Sequence, residues 1–257
     1  MERGKEESWQ GVSGGTLKII AVVTMLIDHI AATVLMRMLR IEYDPELYMV
    51  YRVMRQIGRI AFPIYCFMLV EGLTHTRNRW KYAARLGGMA LVSEIPFDLA
   101  FRSAVLETGY QNVFFTLTIG LVTLGAWEEI ESRFPFGIAS RPRMWLRYLL
   151  MSVTGAAGMG LAAFLKTDYG WSGVACILIL YWFRRVRALQ LVMGYLAFVA
   201  LLDEVMAFPA FVALALYRGR KGVSSKVFFY GFYPVHLLLL YLTCVILEIA
   251  RVPAVYR

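Results

Sequence analysis

Apolar residues in this chain come in long runs rather than in alternating or narrow striped patterns. Residues 17–36, 57–73, 82–101, 112–130, 145–165, 170–183, 188–202, 204–217 and 227–248 are mostly apolar, with short polar stretches between them. A run of about 20 apolar residues suits a helix that crosses a hydrocarbon layer of about 30 Å. The 188–217 stretch exceeds one crossing, so it is read as two spans that turn at Leu202-Asp203-Glu204. The pattern predicts an all-α polytopic membrane protein, with about nine transmembrane helices in one bundle. Residues 1–16 are expected to form a short cytoplasmic tail, and residues 17–257 a single transmembrane domain. The first run is too long for the apolar core of a signal peptide and lacks a small-residue cleavage site, so it is expected to stay as the first span.

Composition agrees. Of 257 residues, 59% are hydrophobic and 18% charged, against about 45–50% and about 25% in soluble domains. Nothing is left for a large soluble domain. The formal charge of +9 is read as a topology signal rather than as a nucleic-acid footprint, and no nucleic-acid partner is expected. Cys66, Cys176 and Cys244 all fall inside apolar runs, without metal-ligand spacing, and are expected to behave as small buried hydrophobes.

Basic residues set the orientation. Arg77, Arg79, Lys81 and Arg85 lie between the second and third spans; Arg133, Arg141, Arg143 and Arg147 between the fourth and fifth. Arg184, Arg185 and Arg187 follow the sixth, and Arg218, Arg220, Lys221 and Lys226 precede the ninth. The intervening loops hold far fewer. This alternation predicts a cytoplasmic N-terminus, in a bacterial cytoplasmic membrane once the family below is considered. Residues 37–56 disagree, because Arg37, Arg40, Arg52 and Arg55 sit where few positive charges are expected. The helix-like spacing of "LYMVYRVMRQI" predicts an amphipathic helix lying at the membrane interface there. Ser152, Ala156 and Gly160 form a small-residue stripe expected to let helices approach closely.

Ionisable residues at membrane depth are costly and are functional suspects. The first span carries Asp28 and His29 side by side. At a rise of about 1.5 Å per residue, His29 lies roughly 16 Å beyond Lys18, Glu94 roughly 14 Å beyond Arg85, and His236 roughly 15 Å beyond Lys226. Three ionisable residues on three spans thus reach one depth. Neighbouring helical residues point about 100° apart, so Asp28 and His29 need separate partners: Glu94 or Asp98 for His29, and Arg59 for Asp28. "SEIPFDLAF" puts Glu94 and Asp98 one turn apart around Pro96, a proline kink of the kind that opens a polar cavity. Arg77, Lys81 and Arg85 form one basic stripe if helical, suited to phosphates, with Glu71 and His75 four residues apart beside it.

"LKIIAVVTMLIDHI", "IGRIAFPIYCFMLVEGLTHTRNRWKYAARL", "SEIPFDLAF" and "QNVFFTLTIGL" together resemble the TraX family of bacterial membrane proteins, in the same order and close spacing. "YGFYPVHLLLLY" around His236 resembles the family's last helix. The family's Asp-His pair matches Asp28 and His29. Its other motifs match Gly58, Arg59, Phe62 and Pro63; then Glu71, Gly72, His75, Thr76 and Arg77; then Ser93, Glu94, Pro96, Phe97 and Asp98. The founding member is linked to N-acetylation of conjugative F-pilin. The resemblance therefore implies transfer of an acetyl group from cytoplasmic acetyl-CoA to an acceptor at or across the membrane: a peptide N-terminus, another amine or a sugar hydroxyl.

Residues and resemblance meet on one mechanism. His75, Arg77, Lys81 and Arg85 are expected to hold the coenzyme A phosphates, with Arg59 and Asn112 also in the donor-binding set. His29, oriented by Glu94 or Asp98, acts as general base or as a transient acetyl carrier. His236 or Asn112 serves the oxyanion, Asp28 is structural, and no metal is required. A proton-coupled transporter that uses midplane His29, Glu94 and His236 is the alternative, and a non-catalytic scaffold the third reading.

Overall fold

A computed structural model of the protein describes residues 11–135, 141–222 and 225–254. The expected tail, residues 1–16, lies outside the described residues as far as position 10. The described residues form helices and no strand; two isolated bridges tie Val12 to Tyr217 and Gln111 to Thr167.

In chain order the helices are α1 (Gly14–Ile30), a π-helical turn (Ala31–Leu35), α2 (Met36–Ile41), α3 (Pro45–Gly58), α4 (Ala61–Thr74) and α5 (Arg79–Arg102). They continue as α6 (Val113–Arg133), α7 (Arg141–Phe164), α8 (Gly170–Trp182), α9 (Arg187–Leu202), α10 (Phe208–Ala215) and α11 (Lys226–Ile246). Each apolar run has become a helix. Polar residues stop the runs and cap the helices: Ser13, Asp44, Asn78, Asn112 and Ser225 each accept a backbone N–H of the first turn.

Five helical stretches among the described residues are long and apolar enough to cross a membrane: Gly14–Ile41, Pro45–Thr74, Val113–Arg133, Arg143–Phe164 and Phe228–Ile246. Helix α5 has 24 residues but carries more charge, and α8, α9 and α10 are shorter apolar helices. Outward faces are apolar, with Leu149, Val153, Phe164, Val192, Leu239 and Ile246 all exposed, as lipid contact requires. The bundle packs α5 against α6 and α11, α6 against α7 and α8, and α1 against α3 and α4.

Hydrogen bonds sort the loops onto two ends. At one end, Gly14 and Gly15 donate to the Arg220 and Lys221 carbonyls, Arg79 pairs with Glu129 at 2.6 Å, and Glu131 binds Arg147 at 2.9 Å and Arg184 at 2.6 Å. This is the end expected to be cytoplasmic. At the other, Gln111 donates to the Lys166 carbonyl and Ala254 to that of Phe101.

The structure differs from the expectation in two places. The segment expected to lie along the interface is α3, which runs almost directly into α4 and packs on α1 and the π turn. Its neighbour Arg37 is not a loop charge at all. It is fully buried and donates to the carbonyls of Val252 (2.7 Å), Ala100 (2.7 Å), Thr33 (3.2 Å) and Leu99 (3.3 Å), and to Ser103 Oγ (3.1 Å). Arg55 is likewise taken up, in an ion pair with Asp28. On α7, Ser152, Ala156 and Gly160 face outward; Gly155 and Gly158 are the small residues that meet α6, at Trp127 and Thr123.

Candidate functional site

The two midplane histidines meet. His29 on α1 and His236 on α11 are joined Nδ1 to Nε2 at 2.6 Å, and His236 Nδ1 lies 2.7 Å from the Phe232 carbonyl. A carbonyl only accepts, so the proton sits on His236 Nδ1 and His236 Nε2 carries a lone pair. That lone pair can only accept, which puts a proton on His29 Nδ1. His29 Nε2 is thereby left unprotonated, the form that a general base or nucleophile needs. Phe101 and Tyr233 flank the His29 ring edge-on, at 5.6 and 5.8 Å between centroids.

Asp28, the residue before His29 on α1, points about 100° away from it and lines the same cavity. Its Oδ2 binds Arg55 at 2.5 Å, and its carboxyl rests against Gly58, where a Cβ would fall 2.1–2.4 Å from Asp28 atoms. One turn on, Arg59 binds Glu204 at 2.9 Å. Tyr110 donates to the Asp168 carboxylate from the loop after α5. These groups line a cavity of about 460 Å³ that also holds His29, Tyr51, Arg102 and Tyr169. Glu204 lies in the turn between α9 and α10, where Arg59 holds it. Arg55, Arg59 and Arg102 match Asp28, Asp168 and Glu204 in number, so the lining carries no excess of negative charge.

A second cavity, of about 510 Å³, opens toward the end that bears the start of α1. Lys18, His75, Arg85 and Lys221 place basic groups on it, and Met68, Leu69, Leu86 and Leu117 give it apolar walls. The two cavities share four lining residues, Met25, Tyr65, Val113 and Tyr233. They are two chambers on either side of one septum.

Of the residues singled out in the sequence, His29 and Asp28 line the deep chamber, and His236 supports His29 from behind. Glu94 and Asp98 do not reach His29. Glu94 accepts from the Asn112 side chain and backbone, which fastens α5 to the start of α6, and Asp98 accepts from the Glu107 backbone at 2.7 Å. Asn112 is fully buried, with its amide spent on Glu94 and the Ala90 carbonyl, so it is not free to serve an oxyanion. Arg59 lines the deep chamber and not the basic one; Asp28 is bound by Arg55 instead. His75 and Arg85 line the basic chamber, whereas Arg77 and Lys81 do not.

Sequence reading missed Arg55, Asp168, Glu204 and Tyr65. Asp168 and Glu204 look like ordinary turn residues, but α8 has 13 residues and α10 has 8. At about 1.5 Å per residue these helices span roughly 20 and 12 Å, short of a full crossing. The signal was the shortness of the runs, which lets their end loops dip into the bundle.

A family model described as TraX protein matches residues 13–244. The chain is 30% identical to the "Probable fimbrial assembly protein FimC, serogroup H1" of Dichelobacter nodosus, across 87% of this chain and 92% of that protein. No solved structure matches.

Proposed function

The chain belongs to the TraX family, and on that premise we propose that it is an integral membrane acetyltransferase. It takes acetyl-CoA in the basic chamber and passes the acetyl group to an amine or hydroxyl acceptor in the deep chamber. The observation that carries this reading is the pair of chambers meeting at one septum, with the unprotonated Nε2 of His29 on the deep side.

The coenzyme enters from the cytoplasm, its phosphates held by Lys18, Arg85 and Lys221, and its arm lies along the apolar wall as far as Tyr65 and Tyr233. The acceptor waits in the deep chamber. His29 Nε2 takes the acceptor proton as the acceptor atom attacks the thioester carbonyl; the C–S bond breaks, and the proton passes to the departing thiolate. A positioned base contributes about 10²–10⁴-fold. His236 fixes the His29 tautomer through a single hydrogen bond, with no carboxylate in the pair. The oxyanion is assigned to the hydroxyl of Tyr65, because Asn112 and His236 are otherwise engaged. The fimbrial assembly named for the Dichelobacter relative fits an acceptor that belongs to a surface structure.

The test is calorimetric titration of the detergent-purified protein with acetyl-CoA. Saturable binding is expected, and Arg85→Ala combined with Lys221→Ala is expected to weaken it at least tenfold, since a hydrogen bond to a charged group contributes about 1.5–3 kcal/mol. His29→Gln should bind the donor and fail to transfer. Well-folded protein that binds no acetyl-CoA would overturn the reading and turn attention to solute flux through the same two chambers.

A further inference from the structure

We propose that the deep chamber is an acceptor site for a neutral polyhydroxylated group, a sugar unit that enters from the face opposite the donor. This rests on the acetyl-transfer reading above and names its acceptor class.

The direction of entry follows from the lining. Met36, Tyr51, Arg102 and Ala254 line the chamber from the outer half of the first span, the start of the second, the end of α5 and the segment beyond α11. All belong to the end of the molecule away from the start of α1. The basic chamber draws on the other end, through Gly14, Thr76, Gly219 and Lys221. Donor and acceptor thus approach from opposite sides and meet across the septum.

The acceptor class follows from the charges. Three carboxylates (Asp28, Asp168 and Glu204) line the deep chamber with three guanidiniums, those of Arg55, Arg59 and Arg102. Two of each are already paired, Arg55 with Asp28 at 2.5 Å and Arg59 with Glu204 at 2.9 Å. Such a lining is polar and offers no net negative field to hold an ammonium. An anionic acceptor would find carboxylates in its way. Hydroxyls suit it, since each both donates and accepts and can meet a guanidinium on one side and a carboxylate on the other.

Aromatic rings make up much of the remaining wall, Tyr51, Phe101, Tyr110 and Tyr169 among them, beside aliphatic residues such as Met36 and Leu202. Electron-rich ring faces pack against the C–H faces of a pyranose, while the edges of the sugar carry its hydroxyls outward. The volume of about 460 Å³ falls within the range of about 300–1,000 Å³ typical of small-molecule sites. His29 Nε2 stands in this chamber as proton acceptor. The step balances: the sugar oxygen bonds to the acetyl carbon, the C–S bond breaks, and the hydroxyl proton moves through His29 to the thiolate, giving an O-acetyl ester and free coenzyme A.

The experiment is a binding measurement without donor, on full-length protein in nanodiscs free of glycoside detergent. Methyl N-acetylglucosaminide and methyl glucoside are titrated beside tri-alanine with a free N-terminus, and a polyprenyl-phosphate-linked sugar is placed in the bilayer as a further arm. Saturable glycoside binding is expected, weakened at least tenfold by Tyr51→Ala, while acetyl-CoA affinity of the same variant stays unchanged because Tyr51 does not line the donor chamber. Binding of the lipid-linked sugar alone supports the site and identifies a membrane-borne source. Preference for tri-alanine over every sugar overturns the proposal, and so does binding of neither probe. If acetyl-CoA still binds in those cases, the acceptor class falls while the donor reading stands; if acetyl-CoA fails as well, the reading beneath it falls too.

Discussion

Gly58→Ala tests the geometry of the site without depending on any activity. A Cβ built at Gly58 would lie 2.1 Å from Asp28 Oδ1, 2.3 Å from its Cβ and 2.4 Å from its Cγ, where ordinary contact begins about 1 Å further out. Asp28 cannot swing aside freely, since Arg55 holds it at 2.5 Å. The variant must therefore part α1 from α3 or break the ion pair. Overpacking costs about 1–3 kcal/mol, and loss of a partly exposed pair adds up to about 1 kcal/mol. At roughly 2–4 °C per kcal/mol, the melting temperature should fall by about 2–16 °C. The assay is thermal unfolding in micelles for four proteins: parent, Gly58→Ala, Asp28→Gly and the double variant. Asp28→Gly removes all three clashing atoms, so Gly58→Ala should cost almost nothing in that background. Equal cost in both backgrounds would refute the steric account, because independent effects add.

Two further outcomes are expected. His236→Phe keeps a ring but removes the acceptor for His29 Nδ1–H; with acetyl transfer as the readout it should lower the rate at least tenfold, and it should add nothing in a His29→Phe background if the two act as one unit. Arg37→Met strands several buried carbonyls that the guanidinium now satisfies, at about 1–3 kcal/mol each. It should lower the melting temperature and expose the segment around Val252 to protease, and Arg37→Lys should not rescue it, since an ammonium lacks the planar fork that reaches several carbonyls at once.

The helices were legible because each apolar run supplies the body of a helix, and the alternation of basic residues grouped the loops that share an end. Counting residues from the basic ends brought His29 and His236 to one depth, which is where they bond. It left open which side chains at that depth touch. His236 lies 207 positions from His29, and rotation about a helix axis is set by packing rather than by depth. Glu94 had the right depth, yet its own neighbour Asn112 claims it. By sequence, Arg59 is available to Asp28 as a basic residue on the second span. The break between α3 and α4 directs Arg55 to Asp28 and Arg59 to Glu204, and nothing in the local sequence shows the angle of that break. Arg37 misled the topology count because a charge satisfied by carbonyls looks, in sequence, like one facing water.

The π turn at Ala31–Leu35, where the Met36 N–H reaches back to the Ala31 carbonyl, acts as a phase shifter within the first span. It holds one residue more than an α turn. The half of the helix before it is phased so that His29 meets His236, and the half after it so that Arg37 meets the end of α5. Straightening the turn into α-helix with the same residues would rotate one half against the other by about 100°, and either the histidine pair or the arginine socket would lose alignment. Deleting one residue from 31–35 would instead leave an uninterrupted α-helix with both halves in phase, at the cost of that residue's own contacts. The register between the two halves thus resides in the hydrogen bonding of one turn rather than in any side chain.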